Sequence, residues 1–188
     1  ENGAEQTCET YTAVTESTTE WNAGWYVVNS NVDITGYIRI SGNVNLILTD
    51  GSSLTVTNND FNAFWGDSDS ALTIYGQSNG TGALNANSGS NAIGVGSVTI
   101  NGGTINTVGY KNGIYAYNSV TVNRGTVIAK GERFDGIYVV YGDLTVNGGT
   151  VTAVCTGNGS GSGRSYGIWL YQGNVIINGG EVPAAGEI

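Results

Sequence analysis

The most constraining feature of this sequence is a short apolar–Thr–apolar motif that recurs at intervals of 22 to 31 residues. An Asn- or Gly-containing turn follows the motif in most copies. The clearest copies read ALTIYG, SVTING, SVTVNR, DLTVNG and NVIING, beginning at Ala71, Ser97, Ser119, Asp143 and Asn174. Looser copies begin at Asn31 and Ser53, so the repetition covers most of the 188 residues. Repeats of this length are typical of chains whose successive coils stack upon one another.

Each repeat contains three short segments with the character of strands. In the first, Val98 and Ile100 flank Thr99, so the two apolar side chains point one way and the threonine the other. A second segment follows the turn, as at residues 126–128, and a third of the type Gly-Ile-Tyr precedes the next motif. The gaps are too short for crossover helices. The pattern predicts an all-β fold, a right-handed parallel β-helix of about six to seven turns with three strands per turn.

The two ends of the chain differ from the repeats. Residues 1–28 lack the motif, and we expect them to form an N-terminal cap on a single β-helix domain at residues 29–188. A terminal coil needs cover because its backbone groups and apolar interior are otherwise exposed. Glu181 and Pro183 are typical of an edge strand. Ile188 therefore marks either the end of the domain or a cut within a longer solenoid.

Four of the turns carry an asparagine at the same place in the repeat: Asn101, Asn123, Asn147 and Asn178. Equivalent residues of stacked coils lie about 4.8 Å apart, so the amides can hydrogen-bond along the stack. Glycines in the same turns supply backbone conformations with positive φ. We expect these asparagines to stabilise the stack rather than to bind a ligand.

Composition argues against several classes of function. The net charge of −9 with only six basic residues argues against binding to nucleic acids or anionic membranes. The apolar runs are too short to cross a bilayer, so we expect no membrane insertion. The chain has no histidine and no matched pair of carboxylates on adjacent coils, so we expect it not to be an enzyme. Abundant Thr, Asn, Gly and Tyr with few charges indicate a secreted or cell-surface protein.

The two cysteines leave two possibilities open. Cys8 and Cys155 either form a disulfide between the leading segment and the body, or Cys155 is a small apolar side chain of the interior. Two cysteines are too few for a metal cluster or a disulfide framework.

The candidate functional site lies on the outward side of the third segment of each repeat. Aligned on the glycine that opens this segment, three coils place aromatic residues outward: Tyr115, Tyr138 and Trp169. Two positions further along, Tyr117, Val140 and Tyr171 are also expected to face outward, with Tyr141 just beyond. A Gly/Ser-rich insert at residues 156–166 is expected to border this face. The sequence therefore predicts an exposed aromatic ladder.

Such a ladder suits a polysaccharide. The C–H faces of pyranose rings stack on aromatic rings, and a flat strip fits a long chain better than a small sugar, which requires a concave pocket. We therefore expect non-catalytic polysaccharide binding. In the alternative interpretation, the aromatics only stabilise the sheet. The protein would then be a structural spacer, adhesin or fibre subunit, with open ends that associate end to end.

A second candidate site gathers three acidic residues in the stretch NNDFNAFWGDSDS: Asp60, Asp67 and Asp69. Neighbouring carboxylates can hold Ca²⁺, although the spacing does not match the calcium-loop pattern and a solvated acidic turn is the alternative. Asn112 and Asp135, which precede the Gly-Ile pairs, are weaker candidates. We expect no other cofactor.

Several segments also resemble a known family. GWYVVNSNVDITGYIRISGNVNLILTDGSSLTV, SALTIYGQSNGTGAL, GIYAYNSVTVNRGTV and DGIYVVYGDLTVNGGTV are similar to pectate-lyase-like carbohydrate-binding domains in large secreted or surface proteins of gut and fibre-degrading bacteria. The likeness extends from about Trp25 to the C-terminus. It implies a right-handed β-helix, a non-catalytic role, binding of plant polysaccharides and bound Ca²⁺. Family members often have more aspartates before the Gly-Ile pair, where this chain has only Asp135.

Overall fold

A computed structural model describes residues 8, 10–157 and 165–183, which form one continuous system of parallel strands. Most of the predicted insert at residues 156–166 lies outside the described residues. The strands are β1 (Thr12–Ala13), β2 (Glu20–Val28), β3 (Asn31–Thr35), β4 (Ile38–Leu48), β5 (Ser53–Asn58), β6 (Phe64–Gly66), β7 (Ala71–Gly76), β8 (Ala83–Ser88), β9 (Ile93–Gly109), β10 (Ile114–Gly131), β11 (Ile137–Val139), β12 (Leu144–Val146), β13 (Thr150–Cys155), β14 (Ile168–Leu170) and β15 (Val175–Ile177). The described residues contain no helix that could span a membrane.

The strands build a solenoid with three faces. The first, which we call the aromatic face, consists of the starts of β2, β4, β9 and β10 together with β6, β11 and β14. The second contains β7, β12 and β15, and the third contains β3, β5, β8 and β13. The long strand β9 continues around two corners, so its successive parts pair with β6, β7 and β8 and contribute to all three faces. About six coils stack in this way, which confirms the predicted all-β parallel β-helix, and the stack is consistent with the right-handed sense that parallel connections take.

The interior consists of columns of aliphatic side chains. In one column, Leu72, Val98, Val120 and Leu144 pair from coil to coil, and all four are fully buried. The threonine beside each of them is only half-buried, as the alternation predicts. Burial of one such side chain contributes about 1.5–3 kcal/mol. The repeated triplet is therefore the unit from which the core is built.

An aromatic cluster lies in the interior of the first described coils. The indole of Trp21 is buried, stacks on Tyr26 at 4.6 Å between ring centroids, and meets the ring of Phe64 edge to face at 6.0 Å. Strand β2 pairs with β4 from Glu20 onward, so the first coil begins ahead of the boundary predicted after residue 28. Ahead of Glu20, β1 pairs in parallel with β2, with Thr12 opposite Tyr26, and the neighbouring Val14 is buried.

The turn asparagines form the predicted ladder. The side-chain amides of Asn123, Asn147 and Asn178 each donate to the Oδ1 atom of the asparagine one coil earlier, at 2.7 Å in every case. The first acceptor in this ladder is Asn101. The glycine that ends each turn has positive φ, for example 91° at Gly125, where an added Cβ would strike the preceding coil. The turn therefore holds one corner of the solenoid in register.

The two cysteines are not bonded to each other. Cys8 and Cys155 are both free thiols and both half-buried. The Cys8 thiol donates to the carbonyl of Thr10 at 3.1 Å. Of the two possibilities that the sequence left open, the disulfide is therefore absent, and Cys155 lies at the end of β13 with part of its surface exposed.

We expect Asn123→Ala to lower the free energy of unfolding by about 1–3 kcal/mol, because it removes one ladder bond on each side and leaves polar partners unsatisfied. Asn178→Ala is the matched control, since Asn178 is exposed and donates only one ladder bond. Urea denaturation followed by circular dichroism measures both variants. Equal losses for the two would show that the interior ladder bonds contribute nothing beyond a surface contact.

Candidate functional site

The predicted aromatic ladder lies in one register column of the aromatic face. Tyr115 pairs with Tyr138, and Tyr138 pairs with Trp169. The rings of Tyr138 and Trp169 are stacked, with centroids 5.0 Å apart and planes 16° apart. Tyr115 meets Tyr138 edge to face at 5.4 Å. The adjacent Ile114 and Ile137 are fully buried, so β10 and β11 alternate as expected. Tyr115 and Tyr138 are half-buried, and Trp169 is the exposed member of the ladder.

The flanking tyrosines lie beside this ladder. Tyr117 and Tyr171 are 37% and 61% exposed, as expected for outward residues. The expectation for Val140 was wrong, because its side chain is only 8% exposed. Strand β11 ends at Val139, and the chain then turns so that Tyr141 donates its N–H to the carbonyl of Tyr117. Tyr141 thus takes the outward place, with its ring 5.2 Å from that of Tyr117.

The column continues past Tyr115 in the other direction, which the sequence analysis did not predict. Tyr115 pairs with Gly94, Gly94 pairs with Trp65, and Trp65 pairs with Arg39. The Arg39 guanidinium lies over the Trp65 ring, 5.3 Å from its centroid. The column of aromatic residues therefore begins two coils earlier than expected, at Trp65, and contains one position without a side chain, at Gly94.

A weak signal for this extension is present in the sequence. The triplets Asn-Ala-Phe at residues 62–64 and Asn-Ala-Ile at residues 91–93 match Asn-Gly-Ile at residues 112–114. Alanine in place of the glycine hides the match. Aligning on the asparagine instead of the glycine would have placed Trp65 and Gly94 in the ladder.

The asparagines of these triplets form a second polar ladder. Asn91 N–H donates to Asn62 Oδ1 at 3.1 Å, and Asn112 Nδ2 donates to Asn91 Oδ1 at 2.8 Å. In the next coils, Asp135 N–H donates to Asn112 Oδ1 and Tyr166 N–H donates to Asp135 Oδ1. Asn112 and Asp135 therefore use side-chain oxygens to hold the backbone of the following coil. This ladder fixes the point at which each strand of the aromatic face begins.

Three ionisable side chains of the site have raised pKa values. Burial raises the pKa of Asp135 to about 6, and the hydrogen bond from the Tyr166 backbone only partly opposes this shift. Burial also raises the pKa of Tyr138, with a further increase from the charge of Asp135. The pKa of Tyr115 is raised by burial and by the neighbouring Tyr138. Both phenols are therefore neutral at physiological pH and can donate and accept hydrogen bonds.

The acidic residues considered for calcium lie on both sides of β6 in the sequence. Asp60 precedes β6, whereas Asp67 and Asp69 follow it, and all three are exposed. Within the part of the chain that the structure describes, no three His, Cys, Asp or Glu side chains lie close enough together to hold a metal ion. Binding of Ca²⁺ stays a prediction from the sequence, with no assembled ligand set among the described residues to support it.

Comparisons with known proteins were made at the level of sequence and of structure. No family model matches the chain, and no match was found among the curated proteins or the solved structures. The interpretation of the aromatic face therefore depends on its own geometry.

We expect Asp135→Asn to stabilise the protein at pH 8 by about 1–3 kcal/mol and to change stability little at pH 4. The folded pKa of about 6 lies above the ordinary 3.8, so the folded state binds the proton more tightly and wild-type stability falls as pH rises through this window. Asparagine already occupies the equivalent position 112. Urea unfolding at the two pH values measures the effect.

Asp60→Asn controls for the loss of one exposed negative charge. An Asp135→Asn effect that is the same at pH 4 and pH 8 would contradict a raised carboxyl pKa, because only an ionised carboxylate makes the difference depend on pH.

Proposed function

We propose that the aromatic face binds a polysaccharide and does not cleave it. The observation that carries the proposal is the stacked pair of Tyr138 and Trp169, whose rings lie nearly parallel on the outside of a sheet, with Trp169 40% exposed. The face of the Trp169 ring that is turned away from Tyr138 is an apolar surface with a negative π-face. The C–H faces of pyranose rings are complementary to that surface.

The rim of the ladder supplies the polar groups that a sugar requires. The exposed phenols of Tyr117, Tyr141 and Tyr171 surround the stacked rings. Their hydroxyls can donate to and accept from sugar hydroxyls. An apolar centre with a hydrogen-bonding edge is the arrangement that suits a molecule with apolar faces and polar edges.

The sheet holds the rings in place before any ligand arrives. Tyr115, Tyr138 and Trp169 are fixed by main-chain pairing between three consecutive coils, and the ladder from Asn112 to Tyr166 fixes the starts of their strands. A preorganised surface loses little conformational entropy on binding. This supports a role in recognition of an extended chain, whose repeated units can follow the repeated coils.

The proposal contains no catalytic step. The chain has no histidine, and Asp135, whose pKa is raised, is only 1% exposed and bonds to the backbone of the next coil. We further propose a secreted or cell-surface location, where structural polysaccharides such as those of plant cell walls are found. The resemblance to pectate-lyase-like binding domains points the same way.

A second candidate function is a structural spacer or fibre subunit, favoured by the last described strand. Strand β15 pairs with β12, and its three residues Val175, Ile176 and Ile177 are exposed apolar side chains. Open strand edges can pair with another copy. If this function applies, the molar mass measured by light scattering should rise with protein concentration, and Ile177→Lys should suppress the rise.

For the polysaccharide proposal, we expect Trp169→Ala to weaken binding to plant cell-wall polymers about tenfold, because it removes the most exposed ring of the stacked pair. Affinity electrophoresis in gels containing xyloglucan, galactomannan, arabinoxylan or pectin measures the retardation. Trp25→Ala is the matched control, since Trp25 lies on the second face, where its ring centroid is 5.4 Å from that of Tyr75.

Two results would count against the proposal. One is that no polymer retards the wild-type protein. The other is that Trp169→Ala lowers the free energy of unfolding but leaves retardation unchanged, which would assign the rings to stabilisation of the sheet alone.

A further inference from the structure

The aromatic column contains a gap at Gly94, between Trp65 and Tyr115. Since neighbouring coils are about 4.8 Å apart, the two aromatic positions are separated by about 10 Å along the column. That separation exceeds twice the van der Waals spacing of about 3.5–4 Å, so one further ring fits between the two side chains. We infer that this gap is a binding notch that takes a single pyranose unit edge-on. The inference rests on the proposed polysaccharide binding and adds a defined subsite to it.

The notch has the size of one sugar unit. The hollow has a volume of about 280 Å³, with Gly94 at its floor and Trp65 and Tyr115 on either side. Phe61 and Tyr117 also line it. This volume is close to the lower end of the range for ligand pockets, about 300 Å³, so the hollow has room for one ring.

Glycine at position 94 is not required by the backbone. Gly94 does not adopt the positive φ values that favour glycine, and it lies in a regular parallel register with Tyr115. A side chain at this position would project into the hollow, and its Cβ would collide with the amide nitrogen of Asn62. The Asn62 amide therefore stands where a side chain at position 94 would begin, so glycine makes room for this amide, and both residues line the hollow.

Each wall of the notch is supported from behind. The Arg39 guanidinium covers one side of the Trp65 ring, and the hollow lies on the side of the following coil. Tyr138 contacts Tyr115 from the coil beyond. Both wall rings therefore have a partner on the side away from the gap, which opposes collapse of the notch.

The ends of the notch are polar. At one end, Asn118 Nδ2 donates to the carbonyl of Ser68 at 2.7 Å, which ties the loop at residues 67–70 across the coil of Gly96. At the other end lie Asn62, Asn91 and Lys111, of which Asn62 is buried and Lys111 is exposed. Aromatic side walls with hydrogen-bonding ends match the two faces and the hydroxyl-bearing edge of a pyranose.

The pyranose unit can come from two sources. It is either the end of a chain that lies along the ladder of Tyr115, Tyr138 and Trp169, or a single-unit branch on that chain. Matched pairs of probes distinguish them. Galactomannan carries single-unit branches and mannohexaose has the same main chain without them; xyloglucan and cellohexaose form a second pair.

Lysine acetylation in the wild-type protein tests the notch without any mutation. The chain contains two lysines, and both are exposed: Lys111 lines the notch, whereas Lys130 lies in β10 on the third face. A bound probe should slow acetylation of Lys111 several-fold and leave Lys130 unchanged. Protection by galactomannan or xyloglucan alone identifies a branch, and protection by the hexaoses as well identifies a chain end. Equal protection of the two lysines, or none at Lys111 while the probe binds, would overturn the inference.

Two variants give an independent test by affinity electrophoresis in galactomannan and xyloglucan. Gly94→Tyr fills the notch and Trp65→Ala removes one wall, and each should weaken binding about tenfold. Trp25→Ala is again the control. If Gly94→Tyr fails to fold by circular dichroism, Trp65→Ala decides the outcome.

Different results would refute the notch and the proposed polysaccharide binding. If Trp169→Ala weakens binding but Gly94→Tyr and Trp65→Ala bind like the wild type, the ladder stands and the notch is refuted. If neither polymer retards the wild-type protein, the notch and the proposed polysaccharide binding fail together.

Discussion

In-register pairing between parallel coils is the constraint on which the whole structure depends. Main-chain hydrogen bonds place equivalent residues of neighbouring coils about 4.8 Å apart, so whatever one coil presents is repeated directly above it. A slip of one residue would turn Val98 and Ile100 outward and Thr99 inward. The buried aliphatic columns resist such a slip, and the same register aligns Tyr138 with Trp169 on the outside. Core and candidate site are therefore products of a single arrangement.

Two polar ladders reinforce this register at different corners. One connects the turn asparagines from Asn101 to Asn178, and the other runs from Asn62 to Asp135 beside the aromatic face. Satisfied hydrogen-bond networks specify one arrangement because any alternative leaves amides unpaired. Asp135 is the exception in the second ladder, since a carboxylate there accepts a hydrogen bond but is destabilised by burial. The ladder thus fixes the starts of the strands, and at Asp135 it contains one group whose protonation changes with pH.

The fold was predictable because its signals are local and repeated. The alternation of apolar and polar residues at Val98, Thr99 and Ile100 predicts a strand, and the structure contains that strand. The recurring Asn-Gly turns predict that the coils stack, and the structure shows the asparagines bonded from coil to coil. The ladder of Tyr115, Tyr138 and Trp169 followed from the same alignment. What escaped prediction required knowledge beyond one repeat. Alanine in place of glycine hid the equivalence of Trp65 with the ladder residues. The turn after Val139 directs the Val140 side chain inward instead of outward. The strand that begins at Glu20 contains no copy of the motif that would mark it as part of a coil.

The asparagine ladder in the turns also gives the solenoid a direction. In each of its bonds the later coil donates the amide N–H₂ group and the earlier coil accepts with Oδ1. The series therefore begins with an unused donor at Asn101 and finishes with an unused acceptor at Asn178, as far as the ladder itself is concerned. A further coil would extend it with an acceptor at the Asn101 end or with a donor at the Asn178 end. Copies arranged head to tail preserve this polarity, whereas copies meeting tail to tail would oppose oxygen to oxygen.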